Sequence, residues 1–185
     1  MTSTDRPLAG AIMKVFIAPT GTTWSIDSIT NMPNLNALSL IGSANVLMIN
    51  FTLATDASAF AALIPGTPNV RFAATWSGVF QISLEGSYTF CTTSDDGSTL
   101  SVDGSKLVDN SGSHSALTVC SSVSLGKGAH SLYAFYFQGP VQVEMRVTYS
   151  GPDTRNSQVL LQFQAYGSST CTSCTPGSYS NIFGE

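Results

Sequence analysis

The chain has 185 residues, of which 43% are hydrophobic and only 10% are charged, and its formal net charge is −4. A chain of this length can form one well-packed domain with a short extension. The mild negative charge and the lack of a basic cluster argue against nucleic acid as a partner. No apolar run approaches the roughly 20 residues that a membrane-spanning helix needs.

The pattern of apolar, β-branched and aromatic residues predicts strands almost throughout. Gly, Pro, Asn and Asp separate these runs at short intervals, which is typical of an antiparallel β-sandwich or barrel. In chain order, the predicted strands cover residues 12–17, 46–53, 70–76, 86–92, 99–102, 117–125, 130–137, 141–149 and 158–165. The one helical candidate, residues 57–64, is short. The predicted fold class is therefore all-β.

Two local signals add detail. Asp103-Gly104 lies between strand-like residues, and Asp-Gly supplies the two positive φ angles of a type I′ hairpin turn. From Val141 to Tyr149, hydrophobic residues alternate with polar ones, and Glu144 is among the polar ones. This alternation predicts one buried face and one wet face along that strand.

The four cysteines form two groups. Cys91 ends one strand-like run and Cys120 lies in another, and a disulfide between them would stabilise the fold by roughly 3 kcal/mol on the loop-entropy account. Cys171 and Cys174 form a C-x-x-C in a tail rich in Ser, Thr and Gly. That tail lacks the strand-helix context of a redox motif and the second ligand pair of a zinc site, so we interpret both as structural cysteines.

The composition also predicts a location. Low charge combined with many hydroxyl residues and glycines is common in extracellular β-proteins, and the cysteines point the same way. Asn50-Phe51-Thr52 is an N-glycosylation sequon, which makes Asn50 the candidate glycosylation site. We therefore expect an extracellular or cell-surface glycoprotein.

Asp95 and Asp96 are the most informative residues for function. They lie side by side in a short polar stretch between two predicted strands. Adjacent carboxylates repel each other, and a hard divalent cation removes that repulsion. Calcium in particular accepts carboxylate, amide and carbonyl oxygens with flexible geometry. The alternative is a solvated turn with two exposed acids, because surface turns are rich in Asp and Gly.

The sequence does not favour an enzyme. The acids around Asp95 and Asp96 lack the spacing of an EF-hand. No motif surrounds a Ser or Cys that would pair with His114 or His130 as a nucleophile. A glycosidase needs carboxylates on opposite sides of a cleft, and an adjacent pair does not offer that.

Several short motifs occur in an order and spacing that resemble the PA14 domain family, a β-sandwich module. They are Trp76-Ser77-Gly78, residues 86–90, Ser94-Asp95-Asp96-Gly97-Ser98, residues 102–104, residues 107–110 and Ser150-Gly151-Pro152. The resemblance covers residues 8–154, with the last strand and a linker at 155–170. Residues 171–185 resemble the start of an ephrin-receptor-like cysteine-rich repeat. Together they imply one segment of a larger multidomain extracellular protein.

The resemblance also implies a site. In PA14 adhesin domains two consecutive aspartates, joined by a cis peptide, hold one calcium ion, and here these would be Asp95 and Asp96. A second loop would complete the site with the side-chain amide of Gln138 and with backbone carbonyls near it, including those of Gly139 and Val141. The calcium ion would then keep positions open for the vicinal hydroxyls of a sugar.

The loops that flank the calcium ion would supply further ligand contacts. Asn110 and His114 are the candidates, together with Gln138, and the alternative is a polar loop capped by its own side chains. The implied function is a calcium-dependent carbohydrate-binding or adhesion module whose partners are glycans or neighbouring extracellular modules. The alternative is a structural module of a filament or cell wall, in which calcium only stabilises loops.

Overall fold

The computed structural model describes residues 10–19 and 31–164. Within these residues the chain forms eleven strands, one short α-helix and two 3-10 turns. The helix α1 is Ser58–Leu63, within the predicted 57–64. The strands are β1 Ala11–Ile17, β2 Ser39–Val46, β3 Asn50–Ala54, β4 Phe72–Ile82, β5 Gly86–Asp95, β6 Ser98–Val102, β7 Ser105–Asn110, β8 Leu117–Leu125, β9 Gly128–Gln138, β10 Val143–Ser150 and β11 Val159–Leu160.

The strands form two antiparallel sheets. The six-stranded sheet has the order β2-β1-β4-β9-β6-β7, and the second sheet has the order β11-β10-β5-β8, with β3 also paired to β10. The predicted all-β sandwich is confirmed. β5 and β6 are consecutive in the chain but belong to different sheets, so the two residues between them, Asp96 and Gly97, cross from one sheet to the other at one end of the sandwich.

An aromatic cluster fills the core beneath that end. Trp76, Phe60 and Tyr136 are all 0% exposed, and Phe60 of α1 stacks on Phe51 with ring centroids 3.9 Å apart. A fully buried aromatic side chain contributes roughly 2 kcal/mol through removal of its surface from water. α1 therefore stays attached to the sheets although it is only six residues long. No helix among the described residues is long and apolar enough to cross a membrane.

Two strands were absent from the predicted set. β2 and β7 are the outermost strands of the six-stranded sheet. β2 carries small and polar residues and β7 carries an ion pair between Lys106 and Asp109. Edge strands bury little apolar surface, so their hydrophobic pattern is weak, and pairing with β1 and β6 gives them their conformation.

The alternation predicted for residues 141–149 is wrong at two positions. Val141 precedes β10, has φ +85° and is 70% exposed. Glu144 lies on the face predicted to be wet, but it is 4% exposed because it forms an ion pair with Arg146 and lies opposite Asp95 across the β5–β10 pairing. The periodicity of one strand does not reveal what covers its outer face.

The Cys91–Cys120 disulfide is present, and it joins two directly opposite residues of β5 and β8. Cys171, Cys174 and the predicted repeat at 171–185 lie outside the described residues. The chain keeps core contacts beyond residue 154, because Leu161 and Phe163 are 1% and 4% exposed. The predicted boundary at 154 stays a prediction.

The predicted hairpin turn is confirmed, since Asp103 and Gly104 have φ +48° and +78° between β6 and β7. The Asp103 carboxylate reaches the start of β9, where Oδ2 lies 2.7 Å from His130 Nδ1 and Oδ1 accepts the Ser131 N–H at 2.8 Å. The other ring nitrogen of His130 lies 2.9 Å from the Gly126 carbonyl oxygen. Both ring nitrogens therefore face acceptors.

This contact predicts a pH-dependent contribution to stability. Burial lowers the pKa of His130, but the hydrogen bonds to Asp103 and Gly126 and the negative charge of Asp103 together outweigh it and leave the pKa raised. Burial raises the pKa of Asp103, and the hydrogen bonds from His130 and Ser131 outweigh it and leave the pKa lowered. The stabilisation is complete below the unfolded pKa of His130, about 6.5, and is lost as pH rises through the folded value. On the acid side, the stabilisation is complete above the unfolded pKa of Asp103, about 3.9, and is lost as pH falls through the lowered folded pKa of Asp103.

We therefore expect Asp103→Asn to lower the free energy of unfolding by about 0.2–1 kcal/mol at pH 5.5 and by less at pH 8.5. Urea unfolding of both proteins at the two pH values measures the difference. An equal effect at both pH values would mean that His130 does not charge in this contact.

Candidate metal and ligand site

Asp95 and Asp96 lie at the crossing between the two sheets. Asp95 is the last residue of β5, the peptide bond to Asp96 is cis, and both residues are 5% exposed. The hydroxyls of Ser94 and Ser98 lie 2.8 Å apart beneath them and close the turn. The alternative interpretation, a solvated turn with two exposed acids, is wrong, because both side chains are buried.

The Asp96 carboxylate connects two loops. Oδ1 accepts the backbone N–H of His114 at 3.1 Å, in the loop of residues 111–116 between β7 and β8. Oδ2 accepts the backbone N–H of Gly139 at 2.7 Å, in the loop of residues 139–142 between β9 and β10. Hydrogen bonds to an ionised acceptor are stronger than neutral ones. Asp96 therefore fixes the β7–β8 loop and the β9–β10 loop relative to each other.

Asp95 is held at an electrostatic cost. Burial raises the pKa of its carboxyl, and the negative charge of Asp96 raises it further. A backbone hydrogen bond from Ala116 partly offsets these effects, and the charge of Glu144 adds to them. The pair therefore resists carrying two negative charges, and a cation in contact with both carboxylates would reverse that balance.

Tyr136 supports the pair from within the core. It is fully buried, and its hydroxyl donates to the carbonyl oxygen of Asp95 at 2.6 Å and lies against Gln138 Oε1. Burial, followed by the charges of Asp96 and Asp95, holds the pKa of Tyr136 well above its usual value. Its hydroxyl therefore remains a proton donor at all ordinary pH values.

Gln138, the side chain predicted to bind the cation, lies under the β9–β10 loop. It is 0% exposed, and its Nε2 donates to the carbonyl oxygen of Gln142 at 2.6 Å and to that of Gly139 at 3.3 Å. Its amide thus shapes the loop and does not line the cavity. The carbonyl oxygen of Gly139, which was also predicted to bind the cation, accepts the Arg71 N–H at 3.2 Å. Val141, the third residue predicted from this loop, lines the cavity.

A cavity of about 330 Å³ opens above the two aspartates. Its volume is within the range of small-ligand sites. One wall is the β7–β8 loop and the other is the β9–β10 loop. The lining residues are Asp95, Asp96, Ser113, His114, Ser115, Pro140, Val141 and Gln142. Of these, Ser113, Ser115 and Pro140 belong to the two loops predicted to flank the cation, residues 110–115 and 137–141, and Gln142 directly follows the second loop.

The two candidate ligand contacts of the β7–β8 loop separate in the structure. His114 lines the cavity, with its ring nitrogens 2.9 and 3.1 Å from the carbonyl oxygens of Ser115 and Asn110. Asn110 is 2% exposed, and its Nδ2 donates to Ser94 Oγ at 3.0 Å and to the Leu117 carbonyl at 3.1 Å. Asn110 thus supports the loop from beneath, as the alternative of a self-capped loop predicts.

The donors in this cavity fit a hard cation. Asp95 and Asp96 line the cavity opposite Pro140, Val141 and Gln142. Calcium accepts such oxygen ligands, whereas zinc and copper sites depend on several His or Cys ligands. Within residues 10–19 and 31–164, no cluster of three or more His, Cys, Asp or Glu is placed to hold a metal ion.

The protein is a β-sandwich of two antiparallel sheets, with a cavity lined by two aspartates between the loops at one end. The model of the PA14 domain family matches residues 29–173, which is most of the chain, so the protein belongs to the PA14 domain family. A search of curated proteins found no match to the chain.

Solved structures share this fold at low sequence identity. The PA14 sugar-binding domain from an RTX adhesin is 16% identical, with 86% of this chain and 99% of that chain covered and a TM-score of 0.69. The A domain of Epithelial Adhesin 9 from Candida glabrata, solved with Galβ1-4GlcNAc, is 15% identical, with 84% and 90% covered and a TM-score of 0.61.

An anti-sigma factor domain-containing protein is also similar, at 19% identity and a TM-score of 0.66. The comparison covers 88% of this chain but only 49% of that protein, so this chain spans about half the length of that relative. Of the two adhesin domains named above, the first is a sugar-binding domain and the second was solved with a bound sugar. At these identities the structures establish the fold alone.

Proposed function

We propose that this chain is an extracellular carbohydrate-binding module of the adhesin type, in which Asp95 and Asp96 hold a calcium ion at the floor of the cavity. The observation that carries this proposal is the Asp96 carboxylate, which is buried beside a second carboxylate and fixed by a backbone N–H from each cavity wall. Residues of this kind are arranged for a charged ligand and not for solvent.

Different residues would bind the cation and support the loops around it. Asp95 and Asp96 supply negative oxygens, Gln138 and Tyr136 fix the backbone around them, and Asn110 supports the β7–β8 loop. Bound calcium would supply open coordination positions that the vicinal hydroxyls of a sugar can fill. Ser113, Ser115 and Gln142 line the cavity, and their side chains would contact a polar ligand along the walls.

The lining also limits the kind of binding. Among the described residues that line the cavity, none is Phe, Tyr or Trp, so a pyranose ring has no aromatic platform on which to stack. Val141, at 70% exposure, is the apolar surface at the rim. We therefore expect affinity to depend on hydroxyl contacts and on the cation. The proposed activity is binding without catalysis, because a glycosidase needs carboxylates on opposite sides of a cleft and these two belong to consecutive residues.

A glycan array probed with the multimerised chain, first in calcium and then in EGTA, tests the proposal. Binding to a defined set of sugars that disappears in EGTA is the expected result. Wild-type protein that binds no glycan in either condition would contradict it and favour the alternative, a structural module of an extracellular assembly. Binding that persists in EGTA would separate sugar recognition from the aspartate pair.

A further inference from the structure

A third carboxylate lies beside the aspartate pair. β10 pairs with β5 so that Glu144 is directly opposite Asp95 and Arg146 is directly opposite Thr93. Residues directly opposite each other in an antiparallel pair share one face of the sheet, with their Cβ atoms about 5 Å apart. Glu144 is therefore a near neighbour of Asp95, and at 4% exposure it is as buried as the pair itself.

Arg146 neutralises this third carboxylate. Its Nε and Nη2 lie 2.8 and 2.7 Å from the same oxygen, Glu144 Oε1. The Arg146 side chain is 38% exposed and that of Glu144 is 5% exposed, so the guanidinium covers the carboxylate from the solvent side. Two opposite charges this close together largely offset each other at distances greater than their separation.

We propose that the Glu144–Arg146 pair sets the charge of the cation site, with Arg146 as a positioning residue that prevents Glu144 from acting as a third negative charge on the metal. This rests on the proposed function. The charge count of a site tunes its affinity for calcium over several orders of magnitude. With Arg146 in place, the charge of Glu144 is largely offset, and the charge at the cavity comes mainly from Asp95 and Asp96.

The consequence is a site of moderate affinity. A cation bound by two net charges exchanges more readily than one bound by three, and it keeps more of its coordination positions for an external ligand. Arg146 therefore favours a calcium ion that serves as a ligand-binding element. Without Arg146, the same strand would make a tighter and more purely structural site.

The test is a double-mutant cycle in calcium affinity, measured by calorimetry on calcium-depleted protein. Arg146→Gln is expected to tighten calcium binding by about threefold to tenfold, because it removes one positive charge near the site of a divalent ion. Glu144→Gln is expected to weaken binding by a similar factor. The double variant carries neither charge and is expected to bind within about twofold of wild type.

Salt dependence and a control variant distinguish an electrostatic effect of this pair on the site from a general effect of net charge. Both shifts are expected to shrink between 50 mM and 500 mM salt, because screening weakens interactions with partly exposed charges. Lys106→Gln is the matched control, since it removes the cation of the exposed Lys106–Asp109 pair and changes the net charge equally. Its calcium affinity is expected to equal that of wild type.

The outcomes are distinct. If wild-type protein binds no calcium, both the proposed function and this inference are overturned. If wild type binds calcium but the Glu144 and Arg146 variants all stay within twofold of it, this inference alone is overturned. Should Arg146→Gln leave Glu144 unpaired and fail to fold, Glu144→Gln decides the question, because unchanged or tighter binding in that variant contradicts the proposal.

Discussion

Replacement of Asp96 by alanine is expected to abolish calcium binding, with a loss of at least about 100-fold in affinity. The variant removes one of the two carboxylates that face the cavity and also the acceptor for the N–H groups of His114 and Gly139. Terbium luminescence or calorimetry on calcium-depleted protein measures the first effect. Faster amide hydrogen exchange at His114 and Gly139 measures the second.

Asp103→Asn is the control for this experiment. It removes one carboxylate from the opposite end of β6, in the turn to β7, so the change in net charge is the same. Its calcium affinity is expected to match that of wild type. If Asp96→Ala binds calcium as tightly as wild type does, the assignment of the site is wrong, whatever the glycan experiments show.

Gly97→Ala is expected to disrupt both the fold at the sheet crossing and the cavity above it. A Cβ at Gly97 would lie 2.6 Å from the carbonyl oxygen and 2.9 Å from the nitrogen of Gly112, and 2.5 Å from Phe137 Cε1. Because two of these atoms are backbone, the β7–β8 loop must move. We expect a loss of about 1–3 kcal/mol in the free energy of unfolding, together with weaker calcium binding.

Gly126→Ala is the matched control, because a Cβ at that position would have no atom within 4 Å. Urea unfolding and calcium titration of both variants measure the two effects. A Gly97→Ala protein with wild-type stability and wild-type calcium affinity would show that the close approach of Gly97 and Gly112 does not position the loop.

The parts of this protein that the sequence predicted are those with a local cause. The hairpin turn at Asp103-Gly104 follows from the φ angles that those two residues allow. The Asp95-Asp96 pair is conspicuous because two adjacent carboxylates are costly to bury. The buried strands β4 and β9 have long apolar runs. Each of these signals is contained in a few consecutive residues.

The features that single-strand patterns did not reveal have non-local causes. The role of Gln138 in holding the cation stays a prediction; its partners in the structure are Tyr136 and the carbonyl of Gln142, and their positions depend on how β9 and β10 are joined. Asn110 is buried because Ser94 and Leu117 come together around it from two other strands. The burial of Glu144 likewise depends on the register between β5 and β10. Single-strand patterns do not contain that information.

A crystal structure of the protein with calcium and the best glycan from the array would test the central claim most directly. The account predicts one cation in contact with carboxylate oxygens of both Asp95 and Asp96, and sugar hydroxyls in contact with that cation between the β7–β8 and β9–β10 loops. A glycan bound elsewhere on the sandwich, or a sugar in the cavity with no cation at the aspartate pair, would contradict it.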